Sequence, residues 1–236
     1  MKKKILSLAL VIALFAIMVG GTLAYFSAED EVTNTFTVGS VKIDIYENGE
    51  ATDEAEKPFG SLTPIVNTTT PSEDVSYQDK VVKVKNTGLN GAYVRTHIAV
   101  PNALVNYLQL DLDTAGWVQQ PTTHATVDGM LYNVYTYDYL SEVAPGEFTT
   151  ELLKGAYLAS NVDLQEDADG NLEFILRDNA GKVTHTSGFD AHTKTAAGYE
   201  SAKVNILVAS QAIQAQGFDN ATVALNSGFA ANPWAA

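Results

Sequence analysis

The sequence predicts a mainly β protein, a jelly-roll-like antiparallel β-sandwich with a few short helices. Three observations carry this reading. Apolar and polar residues alternate with a period of two in several short runs. Glycine-containing turns separate those runs, as at Asn86–Gly91, Asp128-Gly129 and Asn179–Gly181. Apolar residues make up 46% of the 236 and charged residues 18%, so the chain can bury a core, and a single sandwich commonly fills this length.

Residues 1–24 read as a secretory signal peptide. Lys2, Lys3 and Lys4 form a charged start, and Ile5–Val19 is an apolar run of 15 residues, short for a membrane span of about 20. Gly20-Gly21 breaks the helix. Thr22 and Ala24 then place small residues at the −3 and −1 positions that a signal peptidase recognises, so the exported chain is expected to begin at Tyr25 and to form one domain over 25–236. No second long apolar run and no cell-wall sorting tail is read in the rest of the sequence.

The next segment holds two strand patterns of opposite parity. Val32, Phe36 and Val38 alternate with threonines, and Val41, Ile43 and Ile45 alternate with Lys42 and Asp44. Gly39-Ser40 between them predicts a tight hairpin or a bulge. Residues 47–76, with Pro58, Pro64 and Pro71 among many acids and hydroxyls, read as a long exposed loop. Val82 and Val84, the turn Asn86–Gly91, and Val94, Thr96, Ile98 and Val100 predict a hairpin over 77–100. Leu104, Val105 and Leu108 predict a short helix within 102–112.

Strands are expected at 123–127 and 130–139 around Asp128-Gly129, and at 171–178 and 182–188 around Asn179–Gly181. The apolar run Val204–Val208 reads as a buried central strand. Residues 210–217 and 219–229 read as helices, the second capped by Asp219 with Ala221, Leu225 and Phe229 on one face.

Charge and motifs exclude several functions. The formal charge is −14, and loss of Lys2–Lys4 with the signal leaves −17. Such a surface repels phosphate backbones and anionic lipid, so no nucleic acid is expected as partner, and membrane only transiently before cleavage. The absence of cysteine removes disulfides, thiolate nucleophiles and Cys-ligated metals. His97, His124, His185 and His192 do not form the two-His helical zinc motif. His185, His192 and Asp190, bracketing Gly188, are the one arrangement that would suit a metal if a hairpin brought them together. Isolated loop histidines are the simpler reading.

Asp163–Asn171 lacks the terminal Glu of a calcium loop and reads as a turn. No Gly-x-Ser-x-Gly elbow or phosphate loop is present. No cofactor, metal or catalytic residue is therefore assigned, and the protein is expected not to be an enzyme. Tyr135, Tyr137 and Tyr139 share one strand face, which would suit sugar binding but more often packs a sheet.

Three stretches resemble a known family. These are GGTLAYFSAEDEVTNTFTVGSVKIDI (20–45), VVKVKNTGLNGAYVR (81–95) and AIQAQGFDNATVALNSGFA (212–230). They resemble the TasA/camelysin-type proteins, which are exported through a dedicated signal peptidase, SipW. The resemblance implies a jelly-roll-like domain and a secreted place in the extracellular matrix or at the cell surface. It also implies self-association into biofilm matrix fibres, or onto related matrix proteins, by strand exchange.

On that reading Tyr25, Phe26, Val32, Phe36 and Val38, within 25–38, form a donor strand that completes a neighbour's sheet. Glu29-Asp30-Glu31 would then lie at the subunit junction or in solvent. The alternatives are a camelysin-like metallopeptidase, for which no zinc motif is found, and a monomeric adhesin or carbohydrate-binding module, which rests on the tyrosine stripe.

Overall fold

The computed structural model describes residues 27–30 as backbone, and residues 41–51, 63–202, 205–230 and 232–234. It is mainly β, and every pair of named strands is antiparallel. In chain order the strands are β1 (Ser27–Asp30), β2 (Ile43–Glu47), β3 (Glu50–Ala51), β4 (Gln78–Asn86), β5 (Ala92–Pro101), β6 (Leu108–Leu112), β7 (Trp117–Gln119) and β8 (Thr123–Val127). There follow β9 (Met130–Tyr139), β10 (Leu153–Leu158), β11 (Val162–Glu166), β12 (Leu172–Arg177), β13 (Val183–Thr195), β14 (Gly198–Ser201) and β15 (Leu207–Gln214). Among the described residues one α-helix, α1 (Ala221–Gly228), lies near the C-terminus.

Sheet A runs β1-β15-β5-β9-β7, with β8 also on β9, and sheet B runs β3-β2-β4-β10-β6. The two face each other across a shared core. Ala92, Val94, Ile98, Val100, Tyr137 and Ala212 of sheet A meet Ile43, Val82, Val84, Leu153, Ala156 and Leu158 of sheet B. Sheet C, a β11-β12-β13-β14 meander, joins the same core through Val162, Phe174 and Ala191.

The alternating pattern of β4 and β5 is as the sequence predicts, but the two strands do not pair. β4 lies between β2 and β10, and β5 lies between β15 and β9. The turn between them is an arch that carries the chain from one sheet to the other. Asn86, wholly buried, holds it: its side-chain amide donates to the carbonyls of Asn90 and Val143 and its oxygen accepts from Gly88 N–H. Satisfying a buried amide from three sides fixes the arch. Val84 and Val94 therefore face each other through the core instead of standing side by side.

Two expected helices are corrected. Residues 108–112 form β6, preceded by a single 3-10 turn at Asn102–Leu104. Leu108, Leu110 and Leu112 alternate with Gln109 and Asp111, and that period-2 pattern wins once β10 is available as a partner. Residues 210–214 are strand, because β15 pairs with β5 in unbroken register from Leu207↔Ala99 to Gln214↔Ala92. Tertiary pairing overrides the helix propensity of Gln and Ala. The fully buried part of this strand is Ser210–Gln214; of the apolar run at 204–208, Ile206 is buried in the core just before the strand and Leu207 and Val208 are half-buried.

The helix near the end is where the sequence places it, but its cap is Asn220 and not Asp219: the Asn220 side-chain oxygen accepts from Val223 N–H, one residue closer to the first turn. Ala221, Ala224, Leu225 and Phe229 pack on Ile213 of β15. The hairpin at Asp128-Gly129 also forms as read, with both residues at positive φ (50° and 81°).

The sequence reading missed the turn at Asn48-Gly49. These residues, with φ 52° and 85°, close a two-residue hairpin between β2 and β3. Asn-Gly is the strongest short hairpin signal. In the loop that follows, the Asp74 carboxylate accepts from the N–H groups of Val66, Asn67 and Ser76, which holds the acid well below the usual carboxylate range. Ile65 of the same loop is buried.

Candidate functional site

The candidate site is the free-standing end of sheet A, where β1 lies along β15. Four antiparallel pairs join them: Ser27↔Ile213, Ala28↔Ala212, Glu29↔Gln211 and Asp30↔Ser210. Glu29 and Asp30 thus lie in the ladder, with their backbone paired to β15 of the same chain. Among the described residues no strand pairs with the other side of β1, and an edge position tolerates charged residues. The other residues assigned to this segment, Tyr25, Phe26, Val32, Phe36 and Val38, lie outside the described residues. So do Thr22 and Ala24. The described partners of β2 are β3 and β4.

β15 is a firm seat for an added strand because both of its faces are occupied. On the inner face Ala212 enters the main core and the Ser210 hydroxyl meets the Thr96 hydroxyl at 2.9 Å. On the outer face Ile213 lies under α1, and Leu207 packs with Ala99, Val134 and Trp234.

Between those outer clusters runs a buried polar seam. The Arg95 guanidinium donates to both oxygens of Asp138, at 2.6 and 2.9 Å, and to the side-chain oxygen of Asn226 on α1 at 2.6 Å. Gln120 donates to Asp138 at 3.0 Å. His97 Nε2 lies 3.0 Å from Gln211 Oε1, and Nδ1 lies 2.8 Å from the Thr136 hydroxyl. An amide oxygen only accepts, so Nε2 carries the proton and Nδ1 accepts from Thr136. Burial, opposed by the Gln211 hydrogen bond and helped by the nearby Arg95 charge, drives His97 down to about 4. The ring is neutral at ordinary pH. The seam ties β15 to β5, β9 and α1.

The remaining sequence candidates are dispersed. His185 and His192 do not close a hairpin. Both belong to β13, in which Gly188 (φ 61°) sits within the strand, so seven residues of extended chain separate them. Asp190 is engaged by the Asn171 amide at 3.0 Å. Among the described residues no group of three or more His, Cys, Asp or Glu is placed to hold a metal ion.

Asp167–Asn171 forms the turn between β11 and β12, with Asp167 Oδ1 accepting from Asp169 and Asn171 N–H. The tyrosine stripe of β9 faces inward: Tyr137 is buried, and Tyr135 and Tyr139 are half-buried against the core. Among the described residues no helix is long and apolar enough to cross a membrane.

Sequence reading missed β15 as the partner of β1. The usable signal was the lack of any Gly or Pro between Val204 and Gln216, which argues for one continuous element where a strand and a helix were read. No protein-family model, no curated protein and no solved structure matches this chain.

Proposed function

We propose that the protein is a secreted structural component of an extracellular matrix or cell surface, a fibre subunit or fibre-associated protein that assembles by strand exchange. One observation supports this reading above the others. A short strand just after the signal-like segment occupies the edge of a sheet whose other strands are locked in place. Exchange of an identical element between copies preserves every native contact, so its cost is low. Four residues of edge ladder contribute only a few net hydrogen bonds of about 1 kcal/mol each, so β1 leaves more readily than any internal strand. The vacated edge of β15 then offers backbone groups in a fixed register to the β1 of the next copy.

The test uses protein secreted and processed after Ala24. Chain lacking residues 25–31 is expected to stay folded and monomeric while the intact chain polymerises. Mixing in a synthetic peptide of residues 25–38 should cap growing fibres and shorten them. Fibres of normal length from the deleted chain would overturn the reading.

A further inference from the structure

The two outer faces of the sandwich differ in what covers them. That of sheet A lies under α1 and the C-terminal residues. That of sheet B has no described element over it, and it carries an aromatic and cationic patch. Tyr46 of β2 and Phe148 meet edge to face, with ring centroids 5.0 Å apart. Two lysines of β4 converge on Phe148, with the Lys83 and Lys85 ammonium groups 4.8 and 5.2 Å from its centre. Lys85 also reaches Tyr46, at 6.0 Å.

Among the described residues neither lysine has a carboxylate partner within ion-pair distance. Asp44 stands opposite Lys85 in the ladder, but its ion pair, at 3.9 Å, is with Lys42. In a chain with 28 acids against 14 lysines and arginines, two neighbouring lysines without an acid stand out. Phe148 remains 37% exposed, so the aromatic surface is reachable. Further along the same face a second aromatic pair, Tyr77 and Tyr157, lies 6.1 Å apart over the Gly155 backbone. Tyr77 donates to Asp111 at 2.8 Å, and Lys154 of β10 is paired with Asp113 at 3.0 Å, so among the described residues the free cations of this face are those beside Phe148.

We propose that the outer face of sheet B binds an acidic polysaccharide, with Tyr46 and Phe148 as the sugar platform and Lys83 and Lys85 taking its carboxylates. The chemistry selects this partner. Ring faces accept the apolar face of a pyranose, and ammonium groups held over a ring are only partly neutralised by it and seek an anion. A sheet face with two aromatic footings suits an extended polymer. Nucleic acid needs many more phosphate contacts than two lysines give, whereas an acidic sugar stacked on the rings need place only a carboxylate or two at the lysines. The inference is independent of strand exchange, because the patch is on the other sheet and needs no second copy of the chain.

The experiment is titration calorimetry of the monomeric chain lacking residues 25–31, or of the intact chain if that one does not fold, with oligogalacturonate at low salt. Binding is expected, and it should weaken at least tenfold in K83E/K85E and in F148S, and several-fold when salt rises to 0.5 M. K83Q/K85Q, which adds no repulsion, should also weaken it and shows that loss of the ammonium groups is the cause. No binding of oligogalacturonate, or equal binding of polyglutamate of the same charge, would overturn the proposal. So would affinity unchanged in K83Q/K85Q and F148S.

Discussion

The two outer faces of the sandwich handle charge in opposite ways. On sheet A, Arg95 and Asp138 are 2% and 0% exposed, and every partner they need is supplied by protein. On sheet B, Lys83 and Lys85 are half-exposed and lean on a phenylalanine ring. Burial explains the contrast. A charge withdrawn from water must be matched on all sides, whereas a charge in contact with water is solvated and can stay unpaired. The covered face therefore contributes to holding the fold together, and the open face has its polar groups available to a ligand.

The contrast can be broken most severely at Asp138. Asp138→Ala leaves the Arg95 guanidinium buried with one neutral acceptor, Asn226. Loss of about 3–5 kcal/mol is expected, read as a fall in the denaturant midpoint at unchanged slope. A loss below about 1 kcal/mol would mean that water reaches the seam.

A smaller effect comes from pH. His97 falls to about 4 in the folded chain, below the value of about 6.5 it takes when unfolded. Between these values the unfolded chain binds a proton that the folded chain refuses. Stability is therefore full above about pH 6.5 and declines toward pH 4, by roughly 3 kcal/mol in all, then levels off for this group. His97→Gln should flatten that limb of the stability–pH curve while leaving the steeper carboxylate-driven loss at lower pH.

The smallest effect is on the open face, where K83Q/K85Q should change stability by less than about 0.5 kcal/mol. A larger loss would mark the lysines as structural and remove the contrast between the faces.

Much of the architecture was legible from the sequence, and the errors share a cause. The β8–β9 hairpin was read correctly because Asp128-Gly129 fixes both the turn and the register locally. α1 was legible because its apolar face lies within one short stretch, although its cap was read one residue early, at Asp219. The arch at Asn86–Gly91 was misread because a turn signal does not say which sheet the next strand joins. That choice depends on Val82 and Val94 having a core to share and on Val143 arriving to accept from Asn86, 57 residues away. β15 was misread for the same reason, since its partner Ala92–Ala99 lies more than a hundred residues earlier.

At the edge itself, the sequence drew attention to the N-terminal segment through the resemblance it carries, but it gave no sign of where that segment would lie. The lysine–aromatic patch was invisible for a simpler reason. Tyr46, Lys83, Lys85 and Phe148 come from three separate stretches, and only the pairing of β2, β4 and the Phe148 segment unites them.

The place of β15 in sheet A also sets an order of events during synthesis. β5, β8 and β9 are close in sequence and can associate early, but the strand beside β5 is the last strand made. Until it emerges from the ribosome, β5 has one side of its backbone open, and β1, made first, has nowhere to settle. The first described strand must therefore wait for the last one, with most of the polypeptide already built. A nascent chain in that condition stays unfinished for nearly its whole elongation, and a chaperone or transport channel has that interval in which to capture it before the sheet closes.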